Sequence, residues 1–117
     1  TKWVRARAYE GGQTASRIVS RTYIKLASDV AAFQTNLPIV LVYSHGGNVD
    51  VERDYQPVSM VFIDTDEITG ITNITDSADF AGLGGMHLRG ASSAGFDKKQ
   101  YKFETWDENR EDNGYAG

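Results

Sequence analysis

The residues best equipped for chemistry lie between Met86 and Asp107, in the stretch MHLRGASSAGFDKKQYKFETWD. Arg89, Ser92, Ser93, Lys98 and Lys99 set two hydroxyls and three cations around a loop of small residues that runs from Ala91 to Phe96. Gly90 and Gly95 give that loop backbone conformations closed to other residues. Two readings follow. In one, free backbone NH groups and serine hydroxyls cradle an anion while Arg89, Lys98 and Lys99 supply charge to a phosphate. In the other, the serines and glycines are turn chemistry and the lysines guard a solvated edge. Neither GxGxxG nor GxxxxGK[ST] occurs, so residue types alone leave both open.

Two strands must hold this loop. Met86 and Leu88, with the backbone up to Gly90, suit a short buried strand, and Tyr101 to Trp106 an aromatic-rich one. Alternation puts Tyr101, Phe103 and Thr105 on one face of the second strand and Lys102, Glu104 and Trp106 on the other.

The run LRGASSAGFDKKQYKFETWDEN resembles the N-terminal signature of the spore coat protein H family, the CotH-type atypical kinases. In that family an LRG-x-SS stretch precedes a lysine pair and an FET-x-DE stretch. Arg89, Gly90, Ser92, Ser93, Phe96, Lys98, Lys99, Tyr101, Phe103, Glu104, Thr105, Asp107 and Glu108 carry the match. The sequence departs at Asp97, where proline is frequent in the family, and at Arg110, which stands where glycine follows the asparagine. The resemblance implies ATP with magnesium as cofactors and Arg89, Ser92, Ser93, Lys98 and Lys99 as the phosphate-facing residues. The family's metal-binding and catalytic acids lie further along than residue 117, so no catalytic residue is assigned here, and the chain alone is expected to be inactive.

A length of 117 residues suits one ordinary domain. With 40% hydrophobic and 24% charged residues the composition is globular. A formal net charge of -4 argues against duplex nucleic acid, whose binders concentrate Lys and Arg. The absence of cysteine excludes disulfides and thiolate metal sites. No apolar run reaches the length of a membrane span, and no leader-type sequence is read.

Residues 1–26 read as two strands around Gly11-Gly12, with Trp3, Arg5, Arg7 and Tyr9 alternating with Val4, Ala6 and Ala8. The stretch WVRARAYEGGQTASRIVSRTYI resembles the closing hairpin of the immunoglobulin-like domain of chitobiase-type proteins. Residues 27–36 form a connector, with a helical turn expected over Ser28–Phe33 behind a Ser28 N-cap. Residues 37–117 are the part similar to a CotH-type N-terminal lobe. Within it, Ile39–Tyr43 reads as a strand buried on both faces at the sheet centre, neighboured by Pro57–Asp64. Residues 68–85 read as a long loop with one short strand over Ile71–Ile74.

Asp64, Asp66 and Glu67, and again Asp107 to Asp112, offer the oxygen ligands calcium prefers, without EF-hand spacing; no metal ligands are assigned. His45 is open to a base, ligand or polar-cap role. The expected fold is mainly β: a sandwich or curled antiparallel sheet of six or seven strands with short helical turns. The expected function is the nucleotide-facing N-terminal lobe of a kinase-type domain. The alternative is a secreted carbohydrate-binding or adhesive module using Trp3, Tyr9, Tyr43, Tyr55 and Trp106. A homodimer through open strand edges and a polysaccharide are the partners considered. The resemblances imply a bacterial, extracellular or cell-surface location.

Overall fold

A computed structural model describes residues 1–90, 92 and 95–115. The chain is mainly β and antiparallel, as the sequence implies. Its strands are β1 (Lys2–Ala6), β2 (Val19–Tyr23), β3 (Gln34–Thr35), β4 (Ile39–Tyr43), β5 (Gln56–Ile63), β6 (Thr72–Asn73), β7 (Phe80–Arg89) and β8 (Gln100–Trp106). They form a β1-β2 pair, a β3-β6 pair and a four-stranded sheet in the order β4-β5-β7-β8. The chain divides into two compact units, residues 1–41 with 61–82, and residues 42–60 with 83–117.

In the first unit, β1 and β2 pair from Lys2↔Tyr23 to Ala6↔Val19. The chain turns over at Gly12, whose φ of 79° favours glycine, and Gln13 N donates to Glu10 O at 3.1 Å. The hairpin is held below its tip by Ser16, whose hydroxyl accepts from Ala8 N at 2.8 Å. Elsewhere in this unit β3 pairs with β6, and the rings of Phe62 and Phe80 pack 5.5 Å apart. Thr72 is fully buried and donates to the Thr65 hydroxyl at 3.0 Å, which satisfies a polar group that would otherwise be costly to bury.

The second unit is built on β7 and β8, in register from Leu83↔Trp106 to Arg89↔Gln100. Two adjacent glycines decide how it packs. A side chain at Gly84 would meet Glu104 O at 2.6 Å and Met60 Sδ at 2.7 Å, and one at Gly85 would meet the Trp106 ring at 2.2 Å. Because neighbouring residues of a strand face opposite ways, Gly84 admits Met60 on one face and Gly85 admits Trp106 on the other. Val58, Met60, Leu83, Leu88 and Trp106 are all buried in this unit.

The structure corrects several expectations. Ile39–Tyr43 lies at an edge of its sheet, and Val40 and Val42 are 50% and 42% exposed, so only Ile39 is buried. The helical turn expected over Ser28–Phe33 takes the form of successive turns, Val30 N donating to Ala27 O and Phe33 N to Val30 O. The strand expected from Met86 begins at Phe80, so residues 80–85 are strand rather than loop. The short strand expected over Ile71–Ile74 is present as β6, and β4 and β5 are neighbours.

The hairpin after β8 holds Arg110 in a conformation that favours glycine. Asp107 N donates to Glu111 O at 2.8 Å and Arg110 N to Asp107 O at 3.1 Å, which leaves Arg110 at a φ of 67°. A side chain costs about 1–2 kcal/mol in that left-handed conformation. Arg110→Gly is therefore expected to raise stability by about 1 kcal/mol, read as a higher urea midpoint at unchanged slope. Gly85→Ala should do the reverse, lowering stability by about 2–3 kcal/mol through overpacking against Trp106. An unchanged midpoint for Gly85→Ala would show that the ring has room to move.

Candidate functional site

The residues singled out in the sequence converge only in part. Arg89 ends β7 with its side chain exposed, and Gly90 follows with a φ of 96° that turns the chain into the loop. Ser92, Phe96 and Lys98 are exposed, and Ser93 lies outside the described residues. Lys99 is the member of the set with a defined partner. Its ammonium pairs with the Asp50 carboxylate, whose other oxygen accepts a hydrogen bond from the Tyr101 hydroxyl at 2.5 Å.

Backbone pairing brings these three groups together. Leu88 N donates to Val51 O at 3.0 Å, and Glu52 forms a parallel bridge with Leu88, so the segment carrying Asp50 runs beside the end of β7. Tyr101 is the β8 residue in register with Leu88, and Lys99 stands two residues before it, on the same side of the chain. Asp50 thus reaches both from across the sheet. The Lys99 and Tyr101 hydrogen bonds hold the Asp50 carboxyl below the usual carboxylate range, and the same carboxylate holds Lys99 and Tyr101 above theirs. Lys99 and Asp50 are both exposed, so solvent screens the pair and its contribution to stability is small.

Sequence reasoning did not find Asp50 or Tyr101 as members of this cluster. No local spacing connects Asp50 to Lys99; only the pairing of residues 50–52 with β7 does so.

The two histidines have structural roles. His45 and Gly46, at φ values of 53° and 81°, are the central residues of a turn closed by Gly47 N to Ser44 O at 2.8 Å, the signs a type I′ turn requires. The His45 Nε2 shares a 2.8 Å hydrogen bond with the buried Ser59 hydroxyl, and its ring meets Tyr43 edge-on. His87 Nδ1 donates to Leu88 O at 2.8 Å, and its ring packs edge-on against Tyr55. Tyr55 in turn meets Trp106, whose indole NH donates to Glu104 at 2.8 Å. Trp106 is only 8% exposed. It packs in the interior of its unit and offers no stacking platform.

The acidic clusters close turns. Asp66 accepts from Ile68 N, Thr69 N and the Thr69 hydroxyl at 2.7–3.0 Å, while Asp107 accepts from Asn109 N and Glu111 N at 2.7 and 3.0 Å. Asp79 receives Asp64 N, and Asp76 receives Asn73 N, each at 2.7 Å. Among the described residues no group of three or more His, Asp or Glu is arranged to hold a metal ion.

No protein-family model, curated protein or solved structure matches the chain.

The capping carboxylates should be visible in acid. Backbone NH donors, from Thr69 to Asp66 and from Glu111 to Asp107, hold both carboxyls below their ordinary values. A carboxyl lowered on folding adds stability that is complete above its unfolded pKa of about 3.9 and disappears as pH falls through the lower folded value. Denaturant midpoints followed from neutral pH to pH about 2 should fall through this window. Asp66→Asn and Asp107→Asn should each lower the neutral midpoint and flatten the acid limb; a limb unchanged in both would assign the acid response to other groups.

Proposed function

We propose that residues 89–101 are the phosphate-facing part of a kinase-type N-terminal lobe, in which Lys99 pairs with nucleotide phosphate. The carrying observation is the Lys99–Asp50 pair at the foot of the glycine-flanked loop. Kinases hold their phosphate-binding lysine with a carboxylate from a separate segment, so that the ammonium is aimed before nucleotide arrives. Asp50 comes from a segment distant in sequence and Tyr101 occupies its second oxygen, which leaves the remaining ammonium protons of Lys99 to reach a phosphate. Arg89 and Lys98, both exposed at the ends of the loop, add positive charge. The similarity of the surrounding residues to the CotH-type signature supports the same assignment.

Phosphoryl transfer also needs carboxylates that hold magnesium and a group that orients the acceptor hydroxyl. The described residues contain no acid cluster suited to magnesium, so no metal-borne step is assigned to them. These 117 residues are expected to bind nucleotide weakly and transfer no phosphate.

Titration calorimetry with Mg-ATP tests this. We expect a dissociation constant on the order of 1 mM, weakened at least about tenfold in Lys98→Ala/Lys99→Ala. Asp50→Asn separates aiming from simple charge: if Asp50 aims Lys99, affinity falls, whereas removing a nearby negative charge would otherwise raise it. Binding untouched by the double substitution would reduce the lysines to a solvated edge. Robust phosphotransfer by this chain would place its catalytic residues within these 117 positions.

A further inference from the structure

The net charge of -4 conceals a segregation. Residues 1–26 carry Lys2, Arg5, Arg7, Arg17, Arg21 and Lys25 against one acid, Glu10, while residues 27–117 carry six basic and fifteen acidic residues. The β1-β2 hairpin is thus a cationic element at +5 on a chain that is otherwise at -9. Two of its guanidiniums lie against aromatic rings. Arg5 stands 5.4 Å from the centre of Trp3 and Arg7 5.9 Å from the centre of Tyr9. Tyr9 is 75% exposed, and it borders an open concavity of about 430 Å³ at the hairpin tip, lined by Ala8, Tyr9, Glu10, Gln13, Thr14 and Ser16.

We propose that this tip binds an acidic polysaccharide, with Tyr9 stacked on a sugar ring and Arg7 paired to its carboxylate. The lining of the concavity joins an aromatic face, which packs on the apolar side of a sugar, to the Gln13 amide, the Thr14 hydroxyl and the Glu10 carboxylate, which suit ring hydroxyls. A guanidinium placed over an aromatic ring keeps a planar fork that matches a carboxylate. An extended duplex is less well served, since its bases are stacked inside the helix and it presents no pyranose face to Tyr9. This site shares no residue with the 89–101 loop, so its fate and that of the nucleotide reading are independent.

Affinity electrophoresis of the full chain in gels containing polygalacturonate, neutral β-glucan or no polymer provides the test, with competition by a duplex oligonucleotide. The expected result is retardation by polygalacturonate alone, reduced as salt is raised. Tyr9→Ala and Arg7→Gln should each weaken it about tenfold, the scale of one lost stacking or charged contact, while Lys25→Gln, away from the tip, changes it less than about twofold. Circular dichroism identical to the parent's verifies that the variants fold. Retardation unaffected by Tyr9→Ala, equal affinity for the duplex, or no retardation of the parent chain would each overturn the proposal.

Discussion

Close approach across β7 governs the second unit. A strand normally keeps its neighbours at the distance its side chains impose. Gly84 and Gly85 remove that spacing on both faces at once, so that Met60 settles against one side and the Trp106 ring lies across the other. The register of β7 with β8 is tied to this arrangement, because a slip of one residue would set Leu83 or Met86 where a glycine is needed. That register in turn places Tyr101 opposite Leu88 and brings Lys99 within reach of Asp50. The candidate phosphate site therefore depends on two missing β-carbons in the middle of a strand.

The same glycines explain where sequence reading fell short. Glycine is depleted in strands, and three of them between Gly82 and Gly85 argue for a loop unless the partners that need the space are known. Trp106 and Met60 lie too far along the chain to supply that knowledge. Ile39–Tyr43 failed for another reason. A continuous apolar run looks alike whether it is buried on both faces or placed at an edge, and its neighbours decide which. By contrast, the strand over Tyr101–Trp106, the Gly11-Gly12 turn and the pairing of β4 with β5 were legible, because local pattern or proximity sets them. Lys99 was legible as a candidate from its loop, whereas Asp50 was not, since only β topology makes them neighbours.

Polar side chains in both units are spent largely on the backbone. Asp66, Asp76, Asp79 and Asp107 each take up amide NH groups that turns leave unpaired. Seen along the sequence, such carboxylates imitate a calcium loop, because the oxygen chemistry is the same and only the donors differ. His45 is a comparable case: a residue that could act as a base is placed by a tight turn and satisfied by Ser59.

The segment after the last hairpin carries the dipeptide Asn113-Gly114, a pairing prone to spontaneous deamidation because glycine leaves its nitrogen unhindered for attack on the asparagine amide. Here the Gly114 nitrogen donates to Asp112 Oδ1 at 2.8 Å, and the Asn113 amide is engaged by Thr105, Trp106 and Tyr115. Ring closure would have to break these bonds before it could begin. The fold thus restrains both reacting groups, and deamidation at Asn113 should be slower in the folded chain than in the unfolded one.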